Sequence, residues 1–196
     1  MGNQRIHKNQ LINSWENHVS GMRETMADEF AHLSDQALTW KPSARKWSIA
    51  QCILHLELSH KIYYRNLQNA FETSPVIDED EELSTTWLGR QLADSLAPDE
   101  NGERNMRVPT WKALNPSSEM KPIKNPKLVL DLYSRQLADF DELLKHNQLV
   151  KWNGIRIPTL ITPLLKLSVA DFIAVMIAHN ERHMMQGLEV LEQIKA

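Results

Sequence analysis

From Ser168 onward the chain carries an apolar stripe of Phe172, Met176, His179, His183 and Val190, with steps of four, three, four and seven. Those steps trace one face of a helix. Two positions that a core stripe would give to Leu or Ile are held by histidine. A helix this apolar must be covered by other elements, and burying two imidazoles costs free energy unless each finds a hydrogen-bond partner or a metal ion. His179 and His183 are four residues apart, so their rings leave the same face, one above the other. Imidazoles stacked in this way can grip one transition-metal ion, the geometry of two-histidine helical zinc motifs. A buried histidine can equally be a hydrogen-bonded core residue, and eight histidines in 196 residues allow the spacing to arise by chance. A third ligand decides between these readings.

Three other segments repeat the helical period. Leu11, Ile12, Trp15, Val19, Met22, Met26 and Phe30 make one stripe, predicting a helix over 7–33. Pro42 and the Ser/Lys-rich stretch to Trp47 interrupt it. Ser48 with Gln51 forms a capping box for a second helix that runs through Ile53, Leu56, Tyr63 and Leu67 to about residue 71. Asn125 followed by Pro126 starts a third, carrying Leu128, Leu132, Leu137, Phe140 and Leu144. Ser168 with Asp171 caps the last, with Leu167 placed to staple onto Phe172. Few glycines and many helix formers agree with this pattern.

The reading is therefore all-α: a single domain over 1–196, folded as a four-helix bundle with a long excursion between its second and third helices. That excursion, 73–125, holds five prolines and the acidic run Asp78 to Glu82, which reads as a solvated loop because like charges repel. A short helix is expected near Ser84 to Leu96. Loops this long in compact domains often carry function, so the excursion and the 147–167 linker are expected to shape a substrate mouth. Trp87, Arg90, Arg107 and Trp111 could supply contacts there.

A net charge of −3 without a basic run argues against nucleic-acid binding. No stretch approaches the roughly 18 apolar residues of a membrane span. The first residues lack the apolar core of a secretion signal, and the lone Cys52 forbids an intrachain disulfide, so a cytoplasmic location is expected. Cys52 itself reads as a small core residue.

The second helix offers His55 and His60 as the missing ligand. His60 lies nearer the centre of the stripe Ile49, Ile53, Leu56, Tyr63 and Leu67, and His55 lies at its edge. The helix is apolar around most of its circumference, so spacing leaves both open.

Leu38-Thr39-Trp40-Lys41-Pro42, then Trp47-Ser48-Ile49-Ala50-Gln51-Cys52-Ile53-Leu54-His55-Leu56, then Ser168-Val169-Ala170-Asp171-Phe172 and His179-x3-His183-x2-Gln186 follow one another along the chain. In order and approximate spacing this resembles the DinB/YfiT superfamily of metal-binding four-helix bundles, over nearly the whole length. The resemblance implies that His55, His179 and His183 form the metal triad. Three histidines leave an open coordination position, as in catalytic sites. Zinc suits three imidazoles best, with nickel, iron and manganese as alternatives.

A metal on three neutral ligands keeps its charge and can lower the pKa of water or of a thiol. Two chemistries follow: hydrolysis, or transfer of a low-molecular-weight thiol such as bacillithiol or mycothiol onto an electrophile, an activity the resemblance brings with it. The rival reading is a non-catalytic, metal-stabilised or stress-response bundle, and either form is expected to pair as a homodimer through a spare apolar face. Gln186, one turn beyond His183, is placed to orient a ligand or a bound water. Glu57 and Glu181 point away from the ligands and read as surface charges, Tyr63 and Arg182 are candidate substrate contacts, and Trp40 and Trp47 are expected to pack beneath the loop.

Overall fold

The computed structural model describes residues 4–77, 80–98, 114–116, 123–160, 162 and 164–195. The chain is mostly helical. Four long helices, α1 (Lys8–Thr25), α3 (Ile49–Glu72), α5 (Pro126–His146) and α6 (Val169–Lys195), supply most of the core. Helix α3 packs on α5 and α6, and α1 packs on the same two. Before α1 lies β1 (Gln4–His7), and between the long helices lie the short α2 (Asp35–Thr39), β2 (Glu82–Thr85), α4 (Trp87–Leu96), β3 (Ile157–Pro158) and β4 (Lys166–Leu167).

Three of the four long helices begin where their capping chemistry puts them. The Ser48 hydroxyl accepts from the Gln51 amide while the Gln51 side chain accepts from the Ser48 amide. Asn125 accepts from Leu128, with Pro126 in the first turn. The Ser168 hydroxyl accepts from the Asp171 amide. Asp171 in turn accepts from the Ser168 hydroxyl at 2.9 Å. Its carboxylate is buried, accepts from the Thr86 amide and hydroxyl at 2.9 Å each, and so pins the start of α4 onto α6. Gly89 sits against it so closely that a Cβ there would overlap the Asp171 side chain.

Three expectations need correction. The first helix does not continue regularly to residue 33. It ends in a π-helical turn, Met26–Phe30, which keeps Met26 and Phe30 buried by shifting the register of the stripe. On α5 the buried face is Val129, Leu130, Tyr133, Leu137, Phe140 and Leu144, leaving Leu128 and Leu132 exposed.

The third correction concerns the acidic run, whose residues 78–79 lie outside the described set. Glu81 is not solvated. It is 9% exposed and accepts the amides of Trp152 and Asn153 at 2.7 and 2.9 Å. Lys8, 1% exposed, lies 3.3 Å from it and donates to the Gln148 and Val150 carbonyls at 2.9 Å each. Burial alone would raise the Glu81 carboxyl, but these donors hold it below the usual carboxylate range. Above this pair, β1 and β2 run antiparallel, with Gln4 opposite Thr85 and His7 opposite Glu82. No helix among the described residues is long and apolar enough to cross a membrane.

Candidate metal centre

Helix α3 delivers His55 roughly two turns beyond its Ser48 cap, and α6 delivers His179 and His183 from the face packed against it. The three rings meet edge to face, with centroids 5.1 Å apart for His55 and His179, 4.5 Å for His55 and His183, and 4.8 Å for His179 and His183. One nitrogen from each lies within 4.8 Å of the others. His55 and His183 are buried and His179 is partly open to solvent.

The proton positions follow from the partners. The His55 Nδ1 lies 2.7 Å from the Leu114 carbonyl, which can only accept, so Nδ1 carries the proton. The His183 Nδ1 lies 3.1 Å from Gln186 Oε1 and donates in the same way. Burial lowers the pKa of all three imidazoles. His179 and His183 are held well below the ordinary value, with their neighbouring cationic forms opposing protonation further. All three are therefore neutral near pH 7, and each of the two donors presents an Nε2 lone pair.

The His55 Nε2 faces the His179 Nε2 at 3.1 Å. Nitrogens this close can share a proton or hold a single cation, and Nδ1–H bonds such as those to Leu114 and Gln186 are of the kind that orient imidazole ligands. Among the described residues no carboxylate joins the cluster.

A sequence profile of the DinB superfamily matches residues 18–186. The chain belongs to the DinB superfamily. It is also similar, at 25% identity over 178 residues, to the uncharacterized protein YuaE of Bacillus subtilis (strain 168), covering 86% of this chain and 91% of that protein. No solved structure matches it.

In this DinB-superfamily chain His55, and not His60, stands with His179 and His183. His60 is 1% exposed but stands apart from the cluster, its Nε2 2.9 Å from Asn180 Oδ1. Gln186 touches His183 as expected. Trp47 does more than pack under the loop. Its ring stacks on His183 at 5.6 Å and lies 5.1 Å from His55, walling one side of the cluster.

Glu57 corrects the reading of it as a surface charge, since it is 3% exposed, pairs with Lys61 and accepts from Gln136 at 3.0 Å. Glu181 is half exposed, 3.8 Å from His18. Tyr63 is a core residue, edge-on to Phe172, and burial pushes its hydroxyl up to about 12. Arg182 is buried and reaches the Leu96 carbonyl at 3.5 Å. Trp40 and Trp87 are exposed, and Arg90 donates to the Thr85 hydroxyl at 2.9 Å. Arg107 and Trp111 lie outside the described residues. Of the excursion, Leu114 and Pro116 touch α3 through His55 and Gln51.

Sequence reasoning missed Trp47 as a site wall and the Leu114 carbonyl as the anchor of His55. The Trp47 signal was available, since it directly precedes the cap of the helix that carries His55. A backbone carbonyl 59 residues away from its partner leaves none.

Proposed function

We propose that His55, His179 and His183 bind one divalent transition metal, zinc in first place, with nickel, iron or manganese as alternatives, within a four-helix bundle formed by α1, α3, α5 and α6. The observation that carries this reading is the 3.1 Å approach of the His55 and His179 Nε2 atoms while the His55 Nδ1 is committed to a carbonyl. The centre is catalytic and acts on a small molecule, transferring a low-molecular-weight thiol of the bacillithiol type to an electrophile or hydrolysing its substrate. A bound metal supplies Lewis acidity toward the thiol or water.

The chain's own residues supply the rest. Three neutral imidazoles leave the charge of the ion undiminished, and Gln186 and Leu114 fix the two rings they hold. Trp47 shields one side from water, while the partly open His179 marks the approach for substrate. In thiol transfer the sulfur forms a bond to the electrophilic carbon, the leaving group departs with the bonding pair, and the S–H proton passes to solvent.

A reducing compartment such as the cytoplasm suits a chain whose one cysteine, Cys52, is buried in the core and has no second cysteine to pair with. Leu128 and Leu132, one turn apart and 48% and 38% exposed, offer a face for the homodimer.

Elemental analysis of purified protein tests the metal. About one ion per chain is expected, lost in His55→Ala, His179→Ala and His183→Ala and kept in His60→Ala. A full complement in any of the first three overturns the ligand assignment. Loaded protein is then assayed with thiol and electrophile pairs and with hydrolase substrates, and light scattering reads the dimer.

A further inference from the structure

His60 takes no part in the metal centre, yet it lies at the middle of the core. Its Nε2 donates to Asn180 Oδ1 at 2.9 Å, and Asn180 Nδ2 donates in turn to His18 Nε2 at 3.1 Å. An amide oxygen accepts only, so the His60 proton is on Nε2 and its Nδ1 carries a lone pair. Among the described residues no protein group meets that buried Nδ1.

Four more buried polar atoms share this condition among the described residues, Gln136 Oε1, Asp141 Oδ1 and two whose rings pack around His60, the Trp15 indole Nε1 and the Tyr133 hydroxyl, both on side chains 0% exposed. These last two are not scattered. The Tyr133 ring meets His60 edge-on at 5.1 Å, the Trp15 ring lies 6.2 Å from His60, and Phe140 closes the group at 4.7 Å from Trp15 and 5.9 Å from His60. Three helices thus bring together the rings that carry one donor, one acceptor and one group that does both. Buried polar atoms of this kind are satisfied almost without exception in folded proteins.

We infer that the rings of Trp15, His60 and Tyr133 form an internal binding site for a single water molecule. The water accepts from the indole N–H, donates to His60 Nδ1 and uses its remaining capacity on the Tyr133 hydroxyl, the three bonds typical of a structural internal water. The chemistry excludes other occupants. An indole N–H repels a cation, no positive charge stands ready for an anion because burial keeps His18 and His60 neutral, and a hydrocarbon would leave all three atoms unpaired. With Asn180 and His18, the water completes a polar line across α1, α3, α5 and α6.

Magnetisation transfer from water to the tryptophan indole N–H signals of the 15N-labelled full chain tests this. Trp15→Phe identifies the Trp15 signal by its disappearance. That signal should show a direct cross-peak with the sign of a water held for longer than the protein takes to tumble, and its absence overturns the proposal. Tyr133→Phe supplies an independent reading of opposite sign for the two cases. A hydroxyl bonded to an internal water is missed when removed, so Tm should fall, whereas deleting a dry and unpaired hydroxyl relieves the core. An unchanged or higher Tm overturns the site.

Discussion

Mild acid should destabilise this protein through two histidines that touch no metal. Burial lowers the pKa of His18 and His60 to about 4 each, while in the unfolded chain both return to the ordinary 6.5. Above 6.5 neither state takes up a proton, so their contribution to folding is intact. As pH falls from 6.5 toward 4 the unfolded state binds protons that the native state refuses, and stability is lost. The groups facing His60 do not reverse this. Trp15, Tyr133, Phe140 and Asn180 are uncharged, and His18 opposes its protonation. Glu181, 3.8 Å from His18 and half exposed, favours the charged form of His18 alone.

The linkage relation then gives a loss of about 2 kcal/mol per imidazole at pH 5 relative to pH 7, roughly 4 kcal/mol for the pair. That is a large share of the ~5–15 kcal/mol that holds a domain together. Urea unfolding of chelator-treated protein at pH 7, 6 and 5 measures it, with His60→Gln as the control. Glutamine can still bond Asn180 but does not titrate, and the metal-site histidines are common to both proteins and cancel. The variant should lose about 2 kcal/mol less than the parent between pH 7 and 5. Equal losses would refute the argument.

Gly89→Ala should cost about 2–3 kcal/mol, because the new methyl meets the buried and fully engaged Asp171 carboxylate; a thermal melt reads it, and an unchanged Tm would mean α4 is free to lift. Gln186→Ala should weaken metal binding roughly 10–100-fold by freeing the His183 ring, measured by competition with a chromophoric chelator; unaltered affinity would make the contact incidental. Metal affinity should hold through neutral pH and fall only below about 6.5, since burial keeps the three imidazoles deprotonated past the ordinary histidine value. Affinity that already falls between about pH 8 and 7 would refute this, since neutral imidazoles have no proton to gain there.

The helix starts were readable because capping is local: Ser48 with Gln51, Asn125 with Leu128 and Ser168 with Asp171 find their partners within one turn. The two histidines of α6 were readable for the same reason. His55 against His60 was not, because α3 is buried on nearly every side and both positions are inside. Glu81 and Glu57 were misread because charge pattern and helical angle are local signals, while their decisive partners, the Trp152 and Asn153 amides and the Gln136 side chain, lie 71, 72 and 79 residues away. Leu128 and Leu132 continued a periodic stripe, yet Val129, Leu130 and Tyr133 won the core, since apolar residues on adjacent faces let either side turn inward.

The buried pair of Lys8 and Glu81 has a kinetic consequence. Its bonds join residues separated by as many as 142 positions, so none can form until the chain has closed very large loops. A clasp that closes only once the helices have docked would be felt in the unfolding rate and not in the folding rate. Lys8→Met would then speed unfolding in urea while refolding keeps its pace, and slowed refolding would place the pair in the folding nucleus.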